Sequence, residues 1–158
     1  EEVESFGEFA KRNNAVASPE GKSFEHLICT EQLSRRLGFK VGEELIRVVR
    51  VRSLNGSARQ VDHGYFLASI AKGLTPEIAA NSIYGYLEHK RGVKVMASRR
   101  TVSVELANDE DCSDLDLGKY NCVAVMESQS YTSDGILFEV THARTHPEIF
   151  HYRVNSKR

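Results

Sequence analysis

The sequence lacks most of the features that would assign it quickly. It has 3 cysteines, Cys29, Cys112 and Cys122, an odd number with no CxxC pair. They read as small core hydrophobes rather than a disulfide framework, and a reducing, cytoplasmic setting is expected. No apolar run approaches the roughly 20 residues of a membrane span, and no signal-peptide core is present, so a soluble protein without a membrane partner is expected. Charge of either sign is not in excess: 21 Lys and Arg stand against 22 Asp and Glu, for a net charge of −1. Without a basic block, this chain is not expected to hold a nucleic-acid backbone by itself. Walker A, GxGxxG, GxSxG and HExxH stretches are all missing, so no nucleophile, catalytic residue or cofactor is called for. The acidic run DEDCSDLDLG has Asp114 where a calcium loop needs glycine, and reads as a helix start. His142 and His146 are four apart on a strand rather than a helix, so no metal is expected.

Prolines number only 3, and there is no Pro/Gly/Ser-rich linker or low-complexity segment. With 41 % apolar residues, the 158 residues suit one domain, 1–158, with one core. The chain opens on Glu1 rather than Met, so it is expected to be a piece of something longer with an upstream module removed.

What is present is a repeated order of elements. Residues 23–29 (SFEHLIC) alternate as a strand, and Thr30 then caps a short helix that ends at Leu37-Gly38. Strands 44–54 and 57–66 follow, joined at Asn55-Gly56, a strong hairpin signal. The second half has a strand at 98–107, a helix capped by Asn108 and ending at Leu117-Gly118, and strands 122–131 and 136–144 meeting at Ser133-Asp134-Gly135. Thr30 and Asn108 are 78 positions apart and Gly56 and Gly135 are 79 apart. Between the halves, LTPEIAANSIYGYLEHKRG is the longest helical pattern. Thr75 starts it, Asn81 or Ser82 offers a second start, and Gly92 ends it. A closing strand is expected near Phe150–Val154.

One strand carries an anomaly. In LIRVVRVRSL, Ile46, Val48, Arg50 and Arg52 fall on one side and Arg47, Val49 and Val51 on the other. Either both guanidiniums reach out to water over the sheet, or the apolar wall ends at a pocket rim. The hairpin bears on the choice. A plain two-residue loop sets Arg52 against Arg59, a like-charge clash. A three-residue loop, Leu54-Asn55-Gly56 with a bulge at a left-handed Gly56, avoids the clash and puts Asp62 on the face of Arg50 and Arg52. We expect the latter. Two planar forks and a carboxylate on one surface suit a sugar phosphate. Ser82 is either a helix cap and nothing more or one wall of such an anion site.

The segments GLTPEIAANSIYGYLEHKRGVKV, LDLGKYNCVAVMESQSYTSDGILFE and EVTHARTHPEIFHYRV, with the SFGEF opening, resemble the UTRA domain. This is the effector-binding half of GntR-type bacterial transcription regulators of the HutC subfamily, and within it the likeness leans toward the trehalose-operon repressors. The resemblance implies an α+β, chorismate-lyase-like fold in which a mainly antiparallel sheet is flanked by helices. It also implies a homodimer, a small phosphorylated sugar as effector, and DNA binding through a winged helix-turn-helix domain that this chain lacks. By motif, Ser5, Ser82, Arg50 and Arg52 would hold the phosphate, and Asp62 and Glu139 the sugar hydroxyls. Where relatives often carry an aromatic and an Arg-Gly-Asp-like run, Thr145, His146, Pro147 and Glu148 stand here, leaving the sugar open and Arg144 as a candidate extra contact. A chorismate-lyase-like enzyme and a dimerisation module without a ligand are the alternatives.

Overall fold

The structure, a computed structural model, describes residues 10–15 and 17–152, and for 17–20 the backbone alone. Six strands form one sheet: β1 (Ala17–Ile28), β2 (Glu44–Leu54), β3 (Ser57–Leu67), β4 (Val95–Leu106), β5 (Cys122–Thr132) and β6 (Leu137–Thr145). Four short helices join them: α1 (Glu31–Leu37), α2 (Pro76–Ala80), α3 (Ile83–His89) and α4 (Asp109–Asp114). Spatial order is β1-β2-β3-β6-β5-β4, with every adjacent pair antiparallel. This is the α+β, chorismate-lyase-like arrangement. The repeat is therefore physical. Each half is a three-stranded meander, the two meet along β3 and β6, and His63 pairs with His142 near the centre of that seam.

Local chemistry accounts for the element ends. Thr30 Oγ1 accepts from the Leu33 N–H at 3.2 Å, and Gly38 closes α1 in the left-handed region. Asn108 and Asp111 exchange bonds in a capping box at the start of α4. That helix ends at Asp114, earlier than expected, because Leu115 turns extended and buries itself with Leu117, Val49, Val61, Val123 and Val125. The central helical pattern breaks in two at Asn81, and Ile83 and Leu87 go into the larger core. β1 is longer than expected, continuing past Gly21 through a bulge at Lys22. The closing strand expected near Phe150–Val154 is not formed over 150–152, which follow a 3₁₀ turn at Pro147–Ile149. Residues 153 and 154 lie outside the described residues.

The first hairpin corrects the expected loop. Asn55 and Gly56 both have positive φ, 51° and 79°, so the connection is a two-residue turn with Leu54 opposite Ser57. The extra residue sits instead at Arg59, where the register slips between Ser53↔Ala58 and Arg52↔Gln60. The clash with Arg52 is avoided all the same. Arg59 turns toward Glu148, with Nη1 to Oε2 at 3.3 Å, while its carbonyl accepts from the His146 N–H at 2.8 Å. The second hairpin repeats the device: the register slips between Ser130↔Glu139 and Tyr131↔Leu137, leaving Phe138 as the extra residue.

Candidate functional site

Beyond the bulge, Arg50 lies directly opposite Asp62 and Arg52 opposite Gln60, so all four side chains share one face. The same face carries Ile46 and Val48, 1 % and 4 % exposed, and the arginines continue that wall rather than leaving it. Their side chains are only 14 % and 20 % exposed, and Asp62 is 7 % exposed. One carboxylate serves three donors. Arg52 Nε donates to Asp62 Oδ2 at 2.5 Å, Arg50 Nη2 to the same oxygen at 3.5 Å, and Gln60 Nε2 to Oδ1 at 2.7 Å. Arg50 Nη1 also reaches the Ala79 carbonyl at 3.3 Å, at the end of α2 and three residues before Ser82. Burial, and then the Arg52 cation, push Arg50 below the usual arginine range despite the attraction of Asp62 and Glu139.

Across the β3–β6 seam, a second polar group completes the face. Phe66 pairs with Glu139, and Ser130 of β5 pairs with Glu139 from the other side. Tyr84, one residue into α3, donates its hydroxyl to Glu139 Oε2, and Ser130 Oγ lies 2.9 Å from that hydroxyl. Thr141 Oγ1 donates to Glu139 Oε1 at 2.9 Å. Burial and the Glu139 carboxylate hold the Tyr84 phenol well above its usual range, so it stays a neutral donor. These residues occupy positions equivalent to the first group. Where one half has Arg52 opposite Gln60, the other has Ser130 opposite Glu139; where one has Asp62, the other has Thr141. A cavity of about 340 Å³ opens on this face between β1, β2 and α2, with Arg50 in its wall beside Phe24, Val48 and Ala79. That volume suits a small metabolite.

The structure brings together Arg50, Arg52, Asp62 and Glu139 of the expected site. Ser82 follows Ala79, the partner of Arg50, by three residues and serves as the cap of α3, exposed, its Oγ accepting from the Gly85 N–H at 3.0 Å. Ser5 lies outside the described residues. Arg144 is not brought to the group: its neighbour Ala143 pairs with Asp62, which turns Arg144 to the opposite face. There it grips Asp111 with Nε and Nη2 at 2.7 and 2.8 Å and Glu105 with Nη1 at 2.6 Å. Sequence reasoning missed Gln60, Ser130, Thr141 and Tyr84. Gln60 and Thr141 were within reach, each two residues along a strand from a named carboxylate. The contact between Tyr84 and β6 is tertiary and leaves no local signal.

Three comparisons place this architecture among known proteins. The model of the UTRA domain matches residues 20–151. The HTH-type transcriptional regulator TreR of Bacillus subtilis (strain 168) is 28 % identical over 123 residues, 78 % of this chain and 52 % of that protein. The chain thus spans about half the length of that relative. Among solved structures, the effector binding domain of the B. subtilis trehalose repressor superposes with a TM-score of 0.82 at 26 % identity, covering 89 % of this chain and 98 % of that one. PhnF from Mycobacterium smegmatis superposes with a TM-score of 0.86 over 99 % of this chain and 69 % of its own, but at 17 % identity it speaks to fold alone.

Proposed function

This chain belongs to the UTRA domain family, the effector-binding domains of transcription regulators such as TreR, and from that premise we propose that its effector is a small phosphorylated sugar. The observation that carries the proposal is the convergence of two mostly buried guanidiniums on Asp62, with Arg50 in the wall of the cavity. Burial, and then the Arg52 cation, hold Arg50 below its usual range. A bound dianion would favour both cations, and guanidinium forks match phosphate oxygens in geometry as well as charge. The seam then gives the ligand a direction. Its phosphate faces Arg50 and Arg52, with Ser82 and Ser5 joining from the family pattern, while Glu139, Thr141, Ser130 and Gln60 offer partners to hydroxyls. Tyr84 ties α3 to Glu139, so a ligand that engages Glu139 acts on the helix as well as on the sheet.

In the whole regulator, effector contacts available in one arrangement and not in another would bias a winged-helix DNA-binding domain tethered ahead of Glu1, within a homodimer. A thermal-shift series tests the ligand reading with trehalose 6-phosphate, glucose 6-phosphate and glucosamine 6-phosphate, each beside its unphosphorylated sugar. At about 100 times Kd a ligand adds about 2.7 kcal/mol, a rise of roughly 5–10 °C for a domain of this size. The rise should appear with a phosphorylated sugar and vanish in Arg52→Ala. Equal response to the free sugars, or an undiminished response in Arg52→Ala, defeats the proposal.

A further inference from the structure

The face that carries Arg50 has two different flanks. Toward β6 and β5 stand groups that hydrogen-bond: Gln60, Glu139, Thr141 and Ser130. Toward β1 the chemistry changes. The cavity of about 340 Å³ lies there, walled by Phe24 and Val48 of the sheet and by Pro76, Ala79 and Ala80 of α2. Val48 and Ala79 are buried. Two polar residues also border the cavity, but neither turns its polar end inward. Lys22 sends its ammonium to α4, with Nζ donating to Asp114 Oδ2 at 2.6 Å and to Glu110 Oε1 at 3.2 Å. Ser23 pairs with Val49, which packs on the opposite face with Leu115 and Val123. Arg50 is thus the charged group that the cavity retains, standing between the apolar flank and Asp62.

Gly21 marks the same flank. It lies opposite Arg50 in the β1–β2 ladder, and a Cβ placed there would meet nothing within 4 Å. Its φ lies outside the left-handed region, so neither the backbone nor a crowded neighbour calls for glycine. A glycine inside a strand gives up stability through chain entropy, and it commonly marks a place where a ligand comes close to the backbone. What Gly21 provides is room beside Arg50. Along the face the order is then hydroxyl partners, guanidiniums, apolar hollow, which is the order of a ligand whose anion lies between a polyol and an apolar group. A simple sugar phosphate ends at its phosphate and leaves the hollow unfilled. Apolar cavities of about 150 Å³ take up benzene, so a ring fits here. We propose that the cavity beside Gly21 is a subsite for an aryl or short alkyl group carried on the effector's phosphate, so that the effector is a phosphodiester of a sugar or other polyol. The proposal rests on the anion site of the functional reading above, and specifies what else its ligand carries.

Isothermal titration calorimetry with methyl phosphate and phenyl phosphate tests it, because the two probes share the phosphate and differ in the apolar group. Phenyl phosphate should bind the native chain about tenfold or more tighter than methyl phosphate. The phenyl diester of glycerol 3-phosphate should likewise bind tighter than glycerol 3-phosphate. Gly21→Leu fills the hollow from β1 and Ala80→Leu fills it from α2, and in each the preference for phenyl over methyl phosphate should fall toward one. Circular dichroism checks that the variants are folded, and the comparison in the native chain needs neither. Equal affinity for the two probes, binding of neither, a diester no tighter than glycerol 3-phosphate, or a preference that the folded variants keep overturns the proposal. The three sugar phosphates named above are titrated in parallel. If one of them binds through Arg52 while the two probes bind alike, this subsite fails alone. If phenyl phosphate and the diester are preferred and none of the three binds, the subsite stands and the sugar reading is what fails.

Discussion

Asp62 holds a position that neither of its neighbours could fill alone. Two guanidiniums and an amide converge on one carboxylate in a mostly buried place. Asp62→Ala takes a carboxylate from two mostly buried cations and should cost about 3–5 kcal/mol in urea unfolding. Inorganic phosphate should then raise the melting temperature of the variant more than that of the native chain; an equal rise would mean that the arginines do not attract anions. Tyr84 is the second residue with a distinct outcome. Tyr84→Phe strips a hydrogen bond from Glu139 and a neighbour from Ser130, both buried, at a cost of about 1–3 kcal/mol by chemical denaturation. Period-two alternation along β2 was enough to put Arg50 and Arg52 on one face. It could not say whether that face opened to water, because α2 and its Ala79 carbonyl arrive from a distant part of the chain.

At the scale of elements, caps and turns were the most legible features, since each depends on a few adjacent residues. The Thr30 and Asn108 caps and the Asn55-Gly56 turn stand where the sequence put them. The bulge did not, because its place is set by which residue the sheet can spare; Arg59 has an outlet toward Glu148 that Gly56 lacks. The expected role of Arg144 failed to resolve for a similar reason. One residue's difference in strand position decides the face, and on its face Asp111 was waiting at the first turn of α4. Arg144→Ala leaves the buried Asp111 unpaired and should cost about 3–5 kcal/mol, with the effector response intact. The pH dependence carries a sign. Burial would raise the Asp111 carboxyl, but the bonds from Arg144 and the Asn108 N–H outweigh it and hold it below the usual range. Its contribution to stability is therefore full above the unfolded value near 3.9 and is lost as pH falls through the depressed folded value. Urea midpoints measured from about pH 5 down to 2 should fall less steeply in Arg144→Ala than in the native chain, and an unchanged slope would remove Asp111 from acid unfolding.

For the whole molecule, the doubled architecture explains both the legibility of the fold and the form of the site. Spacing along the chain betrayed the repeat because cap, helix, hairpin and even the bulge recur in order. What the repeat could not convey is that the two copies of one face were put to different uses: basic around Arg50 and Arg52, hydroxyl-bearing and acidic around Ser130, Glu139 and Thr141. On the proposed reading, a ligand reaching from Arg50 across the β3–β6 seam would be bound by both halves at once, and its charged end and its hydroxyl end would be told apart by the molecule's own asymmetry. Isothermal titration calorimetry is the most direct check on that division. Glucose 6-phosphate should bind the native chain, lose most of its affinity in Arg52→Ala, and lose a smaller share in Thr141→Val, whereas glucose should bind weakly to all three. Equal affinity for glucose and its phosphate, or tight binding of the phosphate that Arg52→Ala leaves untouched, would contradict an anion site on this face.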